Sequence, residues 1–227
     1  SDRERAKKYG QFAEILTPLV KGYGSEASLG VIAQAMQVLG GVGYTQEYPI
    51  EQYLRDSKIL TIWEGTTYIH AQDLVNRKMR MDGGRPFQEW MREIGDFVEK
   101  HRGVRGWEKE MEKLERGYRC LEEVTALYRS WYGDMKHRRS LIPLFAVKTL
   151  FVCAQVQTAQ CLLEQAFIAL DKLEGAAGSE ATYYKGKLAS ARYYVNHILP
   201  QVFWTTEIIL SGEDTVLTCP EEALLLR

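Results

Sequence analysis

Apolar residues recur at helical spacing along nearly the whole chain, and no stretch alternates apolar and polar positions as a strand would. The first such stripe contains Tyr9, Phe12, Leu16, Leu19, Tyr23 and Ala27. The apolar pattern resumes at Leu29 and continues to Leu39, where "GGVG" (40–43) predicts the end of the helix. Pro18, Gly22 and Gly24 predict a kink within it. The pattern is that of an all-α protein.

The segment after these glycines predicts two shorter helices and then a linker. "YPIEQYLRDS" (48–57) begins a helix with proline in its first turn. Thr66 or Thr67 is a candidate N-cap for the next helix, which we expect to run toward Met79. "MDGGRP" (81–86) combines two glycines, a proline and polar residues, so we place the main domain boundary there, giving domains 1–82 and 83–227.

The apolar pattern of the second domain predicts an antiparallel bundle of about four helices. One heptad-spaced stripe contains Trp107, Met111, Leu114, Tyr118, Leu121, Thr125, Tyr128 and Tyr132. Residues 138–173 predict a single long helix that is apolar nearly all round, as in a bundle centre. A further stripe contains Tyr184, Leu188, Ala191, Val195, Ile198, Val202 and Ile209, with a break or kink expected at Pro200.

Charge and composition narrow the classes of function. The chain has 29 basic and 30 acidic residues, and residues 1–82 contain ten of each, which argues against a nucleic-acid partner. The most apolar stretch, residues 141–154, is interrupted by Lys148 and is too short to span a membrane. The four cysteines (120, 153, 161 and 219) include no C-x-x-C pair, which favours a reducing compartment: the cytoplasm, or the mitochondrial matrix in a eukaryote. Because no methionine starts the chain, we expect a fragment.

Motif searches leave one candidate for chemistry. The histidines (70, 101, 137 and 197) lack metal-ligand spacing, so we predict no metal site, and there is no P-loop or G-x-S-x-G elbow. "KHRR" (136–139) is interpreted as a solvated charged face. Glu64, in "TIWEGTTYIH" (61–70), is either an ordinary surface carboxylate near a helix N-terminus or a general base. In the second interpretation Gly65 admits a substrate and Ile62 and Trp63 exclude water.

Residues 37–79, "QVLGGVGYTQEYPIEQYLRDSKILTIWEGTTYIHAQDLVNRKM", resemble the C-terminal signature of the acyl-CoA dehydrogenases. The family pattern Q-x-x-G-G-x-G-aromatic, E-Y-P, R-D and aromatic-E-G-T is present in order and at the family spacing, and the resemblance extends over about residues 4–82. "AQDLVNRKM" (71–79) is most similar to the branch that contains 3-methylmercaptopropionyl-CoA dehydrogenase-type enzymes.

The resemblance implies a role for individual residues. Glu64 would be the catalytic base that removes the α-proton of an acyl thioester while a hydride passes to FAD. Gly65 would touch the substrate, and Thr66 the flavin. A second set, Gln37, Gly40 and Gly41, would contact the adenosine and diphosphate of a flavin bound mainly by a neighbouring subunit.

Two further positions need interpretation, one that departs from the family pattern and one pair that matches it. Tyr68 stands where many relatives carry glutamine, so its contact to flavin is either replaced by the tyrosine hydroxyl or lost. Arg55 and Asp56 match the R-D pair, which we interpret as structural.

For the whole chain, the resemblance implies the last helices of the family's four-helix bundle followed by an appended helical bundle. The implied activity is FAD-dependent α,β-dehydrogenation of acyl-CoA, with electron-transfer flavoprotein as acceptor, in a homodimer or homotetramer. We expect the chain by itself to bind no FAD and to be inactive, and we expect the Tyr9–Ala27 stripe to be exposed and to drive self-association. Two alternatives remain open: a flavin-containing, DNA-associated stress-response protein of the same superfamily, and a non-catalytic helical oligomerisation module.

Overall fold

The structure is a computed structural model that describes residues 2–224, except for the side chains of His137 and Leu224. Those residues contain no β-strand, so the fold is all-α. The α-helices are α1 (Asp2–Leu39), α2 (Ile50–Ile59), α3 (Thr67–Asn76), α4 (Arg85–His101), α5 (Glu108–Gly133), α6 (Met135–Arg138), α7 (Leu141–Leu144), α8 (Ala146–Leu173), α9 (Gly178–Tyr193), α10 (Gln201–Ser211), α11 (Thr215–Thr218) and α12 (Glu221–Leu224). Two 3₁₀-helices span Gly40–Tyr44 and Lys78–Gly84, and a π-helix spans Tyr194–Ile198.

The chain divides into two compact units between Trp90 and Met91, within α4. In "MDGGRP" the backbone turns at Asp82, Gly83 and Gly84, all with positive φ, and α4 begins directly afterwards at Arg85. The domain limits 1–82 and 83–227 remain a prediction.

In the first unit, α1 continues through Pro18, Gly22 and Gly24 as one helix of 38 residues. Its buried face differs from the predicted stripe. Ile15, absent from that stripe, is fully buried, whereas Tyr9 is 53% exposed. We expected the whole stripe to be exposed, but Phe12 and Leu19 are buried where α1 packs against the following helices.

The start of α3 follows the capping rule. Thr66 has an extended backbone, and its Oγ1 accepts a hydrogen bond from the Ile69 amide at 3.4 Å, so Thr66 rather than Thr67 is the N-cap. The helix ends at Asn76, three residues before the expected Met79, and the 3₁₀-helix takes over at Lys78. Buried Lys78 pairs there with Glu14 of α1, which fastens the end of α3 to α1.

The second unit contains four long helical segments: α4 from Met91 onward, α5, α8, and α9 continued by the π-helix and α10. The heptad stripe of α5 is largely buried, although Tyr118 and Tyr132 are half-buried at its edge. Gly117 lies at a close approach, since a Cβ there would come within 3.3 Å of Leu199 and 3.4 Å of Val156. The predicted bundle is confirmed.

The single helix predicted over 138–173 is wrong at its N-terminal end. The chain instead forms the short helices α6 and α7, and the long helix α8 begins at Ala146. Pro143 lies within α7 and has no amide hydrogen to donate, so it cannot continue a helical ladder from residue 138. The carbonyl of Ile142 in this interruption accepts a hydrogen bond from the buried Tyr128 hydroxyl at 3.2 Å.

The break predicted at Pro200 is present, because Pro200 is the N-cap of α10. The preceding turn is a π-helix, closed by the Leu199 amide donating to the Tyr194 carbonyl at 3.0 Å. Asn196 of this turn donates to Glu110 of α5 at 3.0 Å and accepts from Lys113, so a polar bridge joins the wide turn to α5.

All four cysteines are free thiols. Burial raises the pKa of the Cys153 thiol to about 12, which leaves it a neutral core group. Cys161 is exposed on α8. Among the helices of the described residues, none is long and apolar enough to cross a membrane.

Candidate functional site

The loop between α2 and α3 carries Glu64. It leaves α2 through a tight turn in which the amides of Ile62 and Trp63 both donate to the Ile59 carbonyl, at 2.9 and 3.0 Å. Its far end is tied back by the Thr67 amide, which donates to the Thr61 carbonyl at 3.3 Å. The loop is therefore a closed, hydrogen-bonded turn.

Glu64 has a left-handed backbone, with φ of 53°, and Gly65 follows with φ of 99°. A positive φ is uncommon for any residue other than glycine and costs roughly 1–2 kcal/mol in an L-residue. The surrounding contacts must hold Glu64 in this conformation. Strained residues of this kind cluster at functional sites.

Three side chains bind the turn around Glu64: His70 and Lys21 bind the carbonyls of Glu64 and Gly65, and Glu26 binds the hydroxyl of Thr67. His70 Nε2 lies 3.1 Å from the Glu64 carbonyl oxygen, which can only accept, so this nitrogen carries the hydrogen. The Lys21 ammonium of α1 donates to the Gly65 carbonyl oxygen. The Thr67 hydroxyl donates to Glu26 of α1 at 2.6 Å.

The carboxylate end of the site is open. Glu64 is exposed, and Ile62 and Trp63 are 49% and 52% exposed. The expectation that these two side chains exclude water from Glu64 is therefore not met within residues 2–224. Their amides bond to the Ile59 carbonyl, while their side chains have no covering element among the described residues.

Thr66 and Tyr68, the two predicted flavin contacts near Glu64, are both exposed at the start of α3. The Thr66 Oγ1 accepts the weak capping bond from Ile69, and its own hydroxyl hydrogen can still be donated. The Tyr68 side chain is 48% exposed and lies one residue inside α3. The hydroxyls of Thr66 and Tyr68 are both accessible to a ligand bound beside Glu64.

Gln37, Gly40 and Gly41 lie at the other end of α1 and are all exposed. Gly40 has a φ of 63°, and a Cβ at either glycine would meet no atom within 4 Å, so their backbone is open to approach. Gly43 is different, because a Cβ there would come within 2.8 Å of the Met36 carbonyl oxygen. That third glycine is required by packing.

The predicted site residues lie in two separate regions, one around Glu64 and one at the C-terminal end of α1. Lys21, which touches the Glu64 turn, precedes Gln37 by 16 residues on α1, or about 24 Å at 1.5 Å per residue. Glu64, Gly65, Thr66 and Tyr68 form one surface region, which we call the Glu64 turn. The second region, Gln37, Gly40 and Gly41, is called the helix-end glycine region.

Among the described residues, the structure records no contact between the R-D pair, Arg55 and Asp56, and the Glu64 carboxylate. Arg55 makes two hydrogen bonds to Glu51 one turn earlier in α2, at 2.9 and 3.2 Å. Asp56 accepts from Gln52 at 3.4 Å. Both are contacts within α2, which supports the structural interpretation.

Sequence reasoning missed Lys21, Glu26 and His70. The contact between Lys21 and Gly65 joins residues 44 positions apart, and that between Glu26 and Thr67 joins residues 41 apart. Nothing in the local pattern of either segment predicts such a pairing. His70 lies six residues from Glu64, and its position one turn into a capped helix was the available signal.

Two family models match the chain. One, described as "Acyl-CoA dehydrogenase, C-terminal domain", matches residues 4–79, which include the Glu64 turn. The other, described as "Acetyl-CoA dehydrogenase C-terminal like", matches residues 90–220 and thus more than half of the chain.

Curated relatives match along nearly the full chain. A butyryl-CoA dehydrogenase of Syntrophomonas wolfei is 34% identical over 213 residues, covering 93% of this chain and 34% of that protein. A 3-methylmercaptopropionyl-CoA dehydrogenase of Ruegeria pomeroyi is 30% identical over 224 residues, covering 95% of this chain and 36% of that protein. The chain thus spans about a third of the length of these relatives.

A solved structure shares the fold. The crystal structure of an acyl-CoA dehydrogenase complexed with FAD, from Bacillus anthracis, superposes with a TM-score of 0.65 at 17% identity, covering 88% of this chain and 34% of that one. The solved structure shows the same fold. The family model that matches residues 90–220, more than half of the chain, shows that the chain belongs to the acyl-CoA dehydrogenase family.

Proposed function

We propose that this chain supplies the catalytic base and part of the flavin-binding surface of an FAD-dependent acyl-CoA dehydrogenase. The observation that carries the proposal is the Glu64 turn, a hydrogen-bonded loop that holds an exposed carboxylate on a left-handed backbone. Membership of the family gives this geometry its chemical meaning.

In the proposed reaction the Glu64 carboxylate accepts the proton from the α-carbon of an acyl-CoA thioester. A bound flavin would supply the acceptor for the hydride that leaves the β-carbon, so that loss of this hydride and of the α-proton would leave a carbon–carbon double bond. The thioester would contact the Gly65 backbone on its open side, since the side that a Cβ would occupy faces His70 Nε2 at 3.2 Å. The exposed apolar side chains Ile62 and Trp63 offer a surface that bound substrate and cofactor would cover.

The residues present fit a flavin dinucleotide. Thr66 offers a free hydroxyl hydrogen beside the base, which suits an acceptor atom of the flavin ring. A Cβ at Gly40 or Gly41 would meet no atom within 4 Å, and this open space suits the close approach of a phosphate to the backbone. Because about 24 Å of helix separates these regions, we propose that the helix-end glycine region serves the flavin of a neighbouring subunit.

The wider setting is also proposed. Four free thiols support a reducing compartment, the cytoplasm or the mitochondrial matrix. The substrate is an acyl-CoA, the electron acceptor is electron-transfer flavoprotein, and the assembly is a homodimer or homotetramer. The DNA-associated alternative gains no support from charge, since residues 1–82 carry ten basic and ten acidic side chains.

The test is Glu64→Gln in the flavin-loaded enzyme that carries this chain. We expect dehydrogenation of acyl-CoA to fall by about three decades or more, while the flavin absorption spectrum is retained, because the amide cannot accept the α-proton. The matched control is Glu112→Gln, on the exposed face of α5, which should keep normal turnover. Near-normal turnover by Glu64→Gln would show that Glu64 is not the base.

A further inference from the structure

The Glu64 turn is held at two consecutive carbonyl oxygens by side chains from two different helices. His70 of α3 binds the Glu64 carbonyl at 3.1 Å, and Lys21 of α1 donates to the Gly65 carbonyl. The first contact is local, since both groups lie within seven residues of chain. The second fixes the turn to the body of the unit, because Lys21 lies 44 residues away on α1.

The Lys21 contact acts on the backbone that determines the direction of the base. Glu64 and Gly65 both have positive φ, in a region where only glycine is unstrained, so the turn gains no conformational stability from Glu64 itself. A half-buried ammonium that donates to the peptide between Gly65 and Thr66 opposes relaxation of this pair. The peptide held by this contact is the second one after the Glu64 Cα, so its position limits how the Glu64 backbone can turn.

We propose that Lys21 is a positioning residue for Glu64: its ammonium anchors the Gly65 carbonyl and thereby holds the carboxylate in line with the α-carbon of the substrate. This inference rests on the proposed function. Lys21 touches neither substrate nor flavin in this scheme. Its loss changes the alignment of the base rather than the binding of the thioester.

The test uses Lys21→Met, which keeps an unbranched side chain but removes every donor, in the flavin-loaded enzyme that carries this chain. We expect kcat to fall by about 10- to 100-fold with KM nearly unchanged, since small misplacements of a reacting group cost about this much. The isotope effect with α-deuterated acyl-CoA should rise as proton removal becomes rate-limiting. Lys21→Arg should restore much of kcat because a guanidinium can donate to the same carbonyl.

Two controls separate positioning from a loss of structure. Lys7→Met makes the same substitution at an exposed site of α1 and should leave kcat unchanged. Hydrogen exchange followed by mass spectrometry should accelerate in Lys21→Met for the peptide covering residues 61–70, and should stay unchanged for residues 146–173.

Each outcome has a defined meaning. The proposal is wrong if Lys21→Met matches Lys7→Met in kcat and exchange, or if it accelerates exchange in both peptides and releases flavin. If Glu64→Gln retains turnover while Lys21→Met still accelerates exchange in residues 61–70, Glu64 is not the base. That result overturns the positioning role while leaving the Lys21 contact as a structural anchor.

Discussion

Replacing Gly65 with alanine tests how strictly the Glu64 turn depends on its backbone. Gly65 has a φ of 99°, which an alanine adopts only with strain. A Cβ at this position would also come within 3.2 Å of His70 Nε2, the atom that binds the Glu64 carbonyl. The substitution therefore introduces backbone strain and displaces one of the two carbonyl anchors.

The expected loss of stability follows from these two effects. The left-handed backbone costs alanine about 1–2 kcal/mol. A shift of His70 by a few tenths of an ångström weakens a hydrogen bond worth about 0.5–1.5 kcal/mol. Gly65→Ala should therefore lower the free energy of unfolding by about 1–3.5 kcal/mol. With a urea slope of about 2 kcal/mol per molar, the midpoint should fall by roughly 0.5–1.8 M.

Urea unfolding followed by far-ultraviolet circular dichroism measures this shift. The matched control is Gly30→Ala in the same unit, where a Cβ would meet no atom within 4 Å and the residue lies inside α1. That variant should raise the free energy of unfolding by about 0.5–1 kcal/mol, since alanine is the better helix former. An unchanged or higher midpoint for Gly65→Ala would refute the assigned geometry of the turn.

Two further variants test the packing of each unit. Tyr128→Phe should lower the free energy of unfolding by about 1–3 kcal/mol, because the buried hydroxyl donates to the Ile142 carbonyl and accepts from Thr149 at 3.0 Å. Thr149→Val should lower the free energy of unfolding less in the Tyr128→Phe variant than in the unchanged protein. Equal losses in the two backgrounds, measured by urea unfolding, would contradict the contact. In the first unit, the hydrogen bond and charge of Lys78 hold the pKa of Glu14 below its ordinary value of 4.5. That stabilisation is present above pH 4.5 and is lost as the pH falls through the lowered pKa, so Glu14→Gln should weaken the acid dependence of the urea midpoint. An identical pH profile in the variant would contradict the pairing.

Features set by neighbouring residues were predictable from the sequence. The end of α1 at Leu39, the Thr66 cap and the break at Pro200 each depend on the conformational preference of one or two residues. The all-α fold followed from the helical spacing of apolar positions. The split of the long helix failed because the apolar pattern continues through Pro143, and periodicity alone does not register the missing amide hydrogen.

Features set by distant residues were not predictable. On α1, apolar residues three and four apart define overlapping faces, and only the packing partner decides that Ile15 is buried while Tyr9 is exposed. In the candidate site the motif located Glu64, but the anchoring by Lys21 requires knowing which part of α1 lies against the turn. The exposure of Ile62 and Trp63 likewise depends on how the turn closes onto Ile59.

The left-handed backbone at Glu64 sets the stability of the turn against the proposed role of this residue as the base. Glycine would occupy this position without the roughly 1–2 kcal/mol that an L-residue gives up there, and glutamate and glycine codons differ by a single base. Selection for thermostability alone would therefore favour the change that removes the carboxylate. Because Glu64 is the base in the proposed reaction, a Glu64→Gly variant chosen for its stability should also be tested for turnover, since the change that raises stability removes the proposed acid–base group.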